Sequence, residues 1–518
     1  MAHSIIPTSS TRLFPDEPSS ACTVPLSILD ASVGNFAPAA AAWVYDVPPA
    51  EGKSALTPAL LKLSLIKTLN AYPQWAGQLQ YTQYNPKGGH TSRSRRCKVT
   101  YGIPADPGVE FVVADSSTDI ASLFPSVEER TSGAGAFDAS SLGELELLPK
   151  SPDLASHSSA DFTGLPCLIV QVTNFKCGGS VIALKSSHPL ADAQTLTTFI
   201  NDWAAVNRAL FYNLPLSLLS PIFLPAALDG AASGDIDAAS PDPEIVKIAH
   251  ELPIHRYDWW TPVEGCPAPE AATIPPHLAS LTDIELGPPI PWHEWDLTAP
   301  VSNFLLYFSA DELARIWAAA VSPGHTISRF DALQAHVWAV LMLAQGKSPE
   351  EEFHMNLSLG MRDRVVPPLG ARALGSPIVL ARASGTTGMS LAELARAIRA
   401  VVVSFTPVRV AAVLHEMAFD VDSRRMWGGF IGWRNTIVTS WMRLGVYEVD
   451  FGGGRPRFVQ AVMPAMAGVI QVMEAMPQSS SGGPWYQDGA SVSLMLSTDV
   501  IQRMLKDPLL RKYRGQSS

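Results

Sequence analysis

Between about residues 216 and 300 the sequence loses its periodicity. "HRYDWWTPVEGCPAP" (255–269) and "LGPPIPWHEWD" (286–296) crowd proline with tryptophan. Proline fixes φ and removes a backbone donor, so no long helix or central strand can run through such stretches. The interruption divides a chain of 518 residues, too long for one core, into two blocks. We expect an N-terminal domain over 1–215 and a C-terminal domain over 301–518. Residues 216–300 should form a surface connector, pinned in places by its tryptophans.

Both blocks mix strand and helix patterns. Residues 54–79 have apolar residues at helical spacing up to Pro73, and "GVEFVVAD" (108–115) reads as a strand. Two β-like runs flank Cys177-Gly178-Gly179 as a hairpin, and 191–210 follows as an amphipathic helix. The Ser/Gly/Asp-rich stretch 128–161 reads mainly as loop. In the second block 301–321 reads as strand then helix, 328–346 as helix, 468–477 and 489–497 as strands, and 498–513 as a closing helix. The class is α/β with α+β mixed sheets, in two layers.

Composition narrows the function. With 47% apolar and 16% charged residues the chain is globular, and its net charge of −11 disfavours nucleic acid as the main partner. The basic run "SRSRRCK" (92–98) reads as a solvated loop. Cys22, Cys97, Cys167, Cys177 and Cys266 show no metal-site spacing, so neither a metal nor a disulfide framework is expected. No secretory signal and no run long enough to cross a membrane are evident, so no membrane partner and a cytoplasmic location are expected.

The stretch that carries chemistry is "VIALKSSHPLADAQTLTTF" (181–199). A β-run delivers His188 to the edge of a sheet, and Asp192 opens the following helix, where a carboxylate caps free N–H groups. An imidazole titrating near neutrality can take a proton from an attacking hydroxyl or amine. A second H-x-x-x-D, His157 to Asp161, lies in the Ser-rich loop without strand or helix and is assigned to solvent. No GxSxG, P-loop or dinucleotide fingerprint accompanies His188, so the substrate itself is the expected nucleophile. His336 and His415 are expected to be structural, and Trp259-Trp260 to be packing.

"HPLADA" (188–193) and "DFGGG" (450–454) resemble the HxxxDG and DFGWG signatures of the BAHD acyltransferases, in the fungal branch of the trichothecene O-acetyltransferases. Further stretches resemble the same family in order: "LSILDASVGNF" (26–36), "SLIKTLNAYPQWAGQL" (64–79), "ISRFDALQAHVW" (327–338), "LGMRDRVVPPLGARALGSPI" (359–378) and "TSWMRLGVYEVDFGGGRPRFV" (439–459). The chain departs from the family pattern at Ala193 (Gly), Gly453 (Trp), Gly360 (Asp) and Ser376 (Asn).

The resemblance implies two chloramphenicol-acetyltransferase-like domains with a tunnel at their interface. It implies an acyl-CoA co-substrate, acetyl-CoA in the first instance, no bound cofactor, a small hydroxylated natural product as acceptor, and a monomer. It makes His188 the general base and the indole N–H of Trp441, helped by Ser440, the oxyanion donor. Asp192 would pair with Arg362, while Asp450, Gly452 and Gly454 would shape an interface loop. Ser328 and Arg329 would meet CoA. Two alternatives stay open: an amine acceptor, and a relative that binds a metabolite without turning it over.

Overall fold

Strand Ala39–Tyr45, "AAAAWVY", is buried at every position, and a strand apolar on both faces belongs inside a covered sheet. It lies in a six-stranded mixed sheet ordered Ile5–Leu13, Val109–Ser116, Leu168–Phe175, Ser180–Ser186, Ala39–Tyr45, Phe458–Ala461. The computed structural model describes residues 5–47, 54–132, 135–143, 146–150, 154–155, 162–269, 272–279, 281, 284–477 and 483–515. His157 and Asp161 lie outside these.

The expected hairpin forms with Gly178 at φ +90° in its turn. Helix Pro58–Leu69 stops short of Pro73. Helix Ala193–Phe211 buries Leu196, Phe199, Ile200 and Trp203, one stripe at three- and four-residue spacing, and packs on Pro58–Leu69.

The second sheet has seven strands in the order Ile378–Gly385, Phe353–Gly360, Asn435–Trp441, Val469–Glu474, Ala490–Ser497, Val301–Phe308, Ala136–Asp138. Helix Arg329–Ala344 is buried nearly all round and packs against helices Ala310–Ala320 and Leu391–Ser404.

Each sheet takes an edge strand from the other half of the chain. Ala136–Asp138 pairs with Leu306–Phe304, and Phe458–Ala461 pairs with Val44–Ala41. A boundary at 215 and 300 therefore follows the chain but not the sheets. The stretch read as loop from 128 also holds helix Val127–Thr131. A three-residue strand is too short to show a period.

The basic run is not a solvated loop. Arg96 is 1% exposed and pairs with Asp229, Arg93 donates to the Ile236 and Ala238 carbonyls, and Arg95 lies over the Tyr81 ring. Its cations clamp the connector to the first domain.

Candidate active site

Strand Ser180–Ser186 ends at a turn of 3-10 helix, His188–Leu190, which fixes the imidazole at the rim of a cavity of about 760 Å³. That volume lies within the usual range for small-molecule sites. His188 is half-buried, and its Nδ1 lies 2.9 Å from Ser376 Oγ. Phe36 stands edge-on to the imidazole at 5.3 Å. Trp441, which closes strand Asn435–Trp441, lines the same cavity, as does Ser440. Trp441 is 5% exposed, and no acceptor takes its indole N–H among the described residues. The Ser440 hydroxyl accepts from the Met442 N–H.

Asp192 lines the same cavity, but its carboxylate is fully engaged by its neighbours. One oxygen caps its helix by accepting from Thr195 N at 2.9 Å, and the carboxylate takes a fork from Arg362 at 2.5 and 3.1 Å. Arg362 also donates to Ala373 O, Gly375 O and Thr195 Oγ1, so the buried guanidinium is satisfied. Burying a charge pair stabilises only when geometry is good and the remaining hydrogens find acceptors, and here both conditions hold. The pair holds the turn bearing His188 against segment 373–376 of the other half.

Asp450 is bound into its own loop. Its Oδ1 accepts from Gly452 N at 2.7 Å and Gly454 N at 2.9 Å, while Asn207 and Arg208 donate to the Phe451 and Asp450 carbonyls. Gly452 and Gly454 adopt φ of +113° and +103°, a region glycine enters freely. None of this loop lines the cavity. At Gly453, where the family pattern has tryptophan, no atom lies within 4 Å of where a Cβ would sit.

Ser328 and Arg329 fare differently. Ser328 lines a second cavity of about 320 Å³, though its hydroxyl caps helix Arg329–Ala344 in a box with Asp331. Arg329 lines neither cavity and lies over the rings of Trp317 and Tyr486 at 4.7 and 4.0 Å. The second cavity instead gathers Arg364, Arg399 and Arg443, and shares Ser440 and Met442 with the first. Arg399 pairs with Asp331, whereas the exposed Arg443 side chain has no partner among the described residues. Burial and Arg399 hold the Arg364 guanidinium below its usual value. Three cations against one carboxylate suit a polyanion.

Other contributors escaped the sequence. Trp259 was expected only to pack, yet it lines the central cavity with Trp292 and Trp295 of the connector. Ser376 and Asp30 stand behind the imidazole, the Ser376 N–H donating to Asp30 Oδ1 at 2.5 Å. His415 is structural as expected: Nε2 accepts from Asp242 N, leaving Nδ1–H to donate to Ser233 O. His336 is likewise buried, against Leu510 O. The five cysteines are free thiols, and burial pushes Cys167 up to about 12. Among the described residues no cluster of three or more His, Cys, Asp or Glu could hold a metal.

The profile of the transferase family matches residues 4–235 and 303–501. The acyltransferase AFT15-1 of Alternaria alternata is 24% identical over 493 residues, covering 92% of this chain and 91% of that one. Vinorine synthase superposes with a TM-score of 0.63 at 19% identity over 98% of both chains. TRI101 of F. sporotrichioides, solved with coenzyme A and T-2, superposes with a TM-score of 0.62 at 16% identity, over 95% of this chain and 99% of that one. With both halves matched and the two-domain acyltransferase architecture in place, the chain belongs to the transferase family of BAHD acyltransferases, which move an acyl group from an acyl-CoA co-substrate.

Proposed function

We propose that this acyltransferase is an O-acyltransferase, moving an acetyl group from acetyl-CoA to a hydroxyl of a small natural product. The observation that carries the reading is that His188 and the adjacent Ser440 and Trp441, distant from it in sequence, line one cavity. With Nδ1–H donating to Ser376 Oγ, the lone pair of His188 sits on Nε2 and takes the proton of the attacking hydroxyl. The oxygen attacks the thioester carbonyl, and the resulting oxyanion accepts from the Trp441 indole N–H. A donor of this kind typically lowers the barrier by about 3 kcal/mol. The tetrahedral intermediate expels CoA thiolate, which the His188 imidazolium reprotonates, and no acyl-enzyme forms.

Arg364, Arg399 and Arg443 support a place for the CoA phosphates in the second cavity, joined to the first through Ser440 and Met442. The apolar, tryptophan-lined wall of the first supports a ring-bearing acceptor. Aligning both substrates makes the attack effectively intramolecular.

Purified protein is incubated with labelled acetyl-CoA and a panel of hydroxylated terpenoids, alkaloids and polyketides, each paired with its amine analogue, and product masses are read. Esters are the expected products. Amides alone would replace this reading with N-acylation, and neither product, with thiol released at equal, acceptor-independent rates by wild type and His188→Ala, would leave only a binding role.

A further inference from the structure

Beside the central cavity lies a smaller pocket of about 110 Å³ with an apolar wall that includes Leu29, Val33, Ile254, Val413, Met417 and Met426. Phe36, Ile378, Leu380 and Trp427 line both spaces. Phe36 stands edge-on to His188 on one side, and to Trp427 at 4.9 Å on the other. It is the partition between the base and the side pocket.

One group in this wall does not match its surroundings. Asp420, just past helix Pro407–Ala418, is a carboxylate in the same wall, which it shares with the ionisable groups His255, Arg256 and Glu416. The acids near it are all paired: Glu416 with Arg256 and His250, Asp422 with Arg424, and Asp258 with Arg425. Asp420 itself receives no ion pair or side-chain hydrogen bond among the described residues. Burial together with Glu416, Asp258 and Asp422 pushes its carboxyl up to about 8, against the pull of Arg425. A lone buried charge is unfavourable until something pairs with it. A ligand cation would offset the cost of burying this one unpaired acid.

We propose that the side pocket is an acceptor subsite for a protonated amine, with Asp420 as its counter-ion. An ammonium held by a carboxylate has no free lone pair and cannot be the nucleophile, so the acceptor is a hydroxylated amine whose hydroxyl reaches His188 across Phe36. The acceptor's role rests on the O-acylation reading above; the amine site itself does not.

The probe is 2-phenylethylamine, cationic at neutral pH, with 2-phenylethanol as its neutral counterpart. Calorimetric titrations use wild type, Asp420→Asn and Met426→Trp, the last chosen to fill the pocket. Wild type should bind the ammonium at least tenfold more tightly than the alcohol. Asp420→Asn should lose that preference and Met426→Trp should lose binding, both with CoA affinity unchanged. Equal affinity of wild type for ammonium and alcohol would overturn the proposal, as would undiminished ammonium binding by either variant. Neither result depends on turnover, so this site can fail while O-acylation stands, and the reverse.

Discussion

Ser376 stands where the family pattern has asparagine, and its two polar groups face opposite ways: Oγ towards His188 Nδ1, N–H into the buried carboxylate of Asp30. Asp30 also takes the N–H and hydroxyl of Ser27. Its neighbour Gly375 has φ +109°, and a Cβ there would come within 2.6 Å of Asp30 Oδ1, so only glycine fits. Burial pushes the Asp30 carboxyl from 3.8 to about 6 despite these donors. Because the folded value lies above the unfolded one, the native state holds the proton more tightly. Its stabilising contribution is complete below 3.8 and is lost as pH rises through about 6. Asp30→Asn, neutral throughout, should flatten this part of the profile of urea midpoint against pH between about pH 4 and 7; an unaltered slope would refute it. The Asp192–Arg362 pair was legible because both partners sit in motifs the family shares. Asp30 lies in a shared stretch too, but nothing in "LSILDASVGNF" marks which residue reaches the base. Arg399 and Arg443 were illegible for a different reason: only the tertiary fold brings a helix face and a strand end to one cavity.

At the scale of elements, the loop Asp450–Gly454 separates two kinds of glycine. A Cβ on Gly452 would meet Ala55 Cβ and Phe211 Cδ1 at 3.2 Å with φ in the left-handed region, whereas one on Gly453 meets nothing. Gly452→Ala should lower stability by about 1–3 kcal/mol, as strained φ does. Gly453→Trp, which restores the family residue, should change it by less than about 0.5 kcal/mol. Both should leave kcat within twofold, since the loop does not line the cavity. Denaturant melts and initial rates read both quantities; a large loss of kcat at Gly452 without loss of stability would contradict the assignment. Strands and helices with a sustained period were readable: the hairpin around Gly178, helix Ala193–Phe211 and the strand–helix pair Val301–Phe308 and Ala310–Ala320. Short elements set by long-range pairing were not. Nor was the connector's part in the site, because its tryptophans sit on irregular backbone whose course depends on what it packs against.

Across the whole molecule, the halves interlock at several levels. They exchange edge strands, share the Asp192–Arg362 pair, and join where Trp43 Nε1 donates to the Val446 carbonyl. Such shared burial should couple the two sheets into one unit despite the 518-residue length. Calorimetry should show a single unfolding transition, and two well-separated transitions would contradict the coupling. The same interlock holds His188, on the first sheet, across a cavity from Trp441, on the second. On the proposed mechanism one imidazole takes the acceptor's proton between two tied halves. The most direct test is acceptor-dependent release of CoA thiol by wild type and His188→Ala, using an acceptor identified by product mass. The expected result is a fall in kcat of at least about a hundredfold, with CoA affinity and melting temperature unchanged. A His188→Ala protein that turns over within about threefold of wild type, where loss of a general base costs about 10² or more, would contradict it.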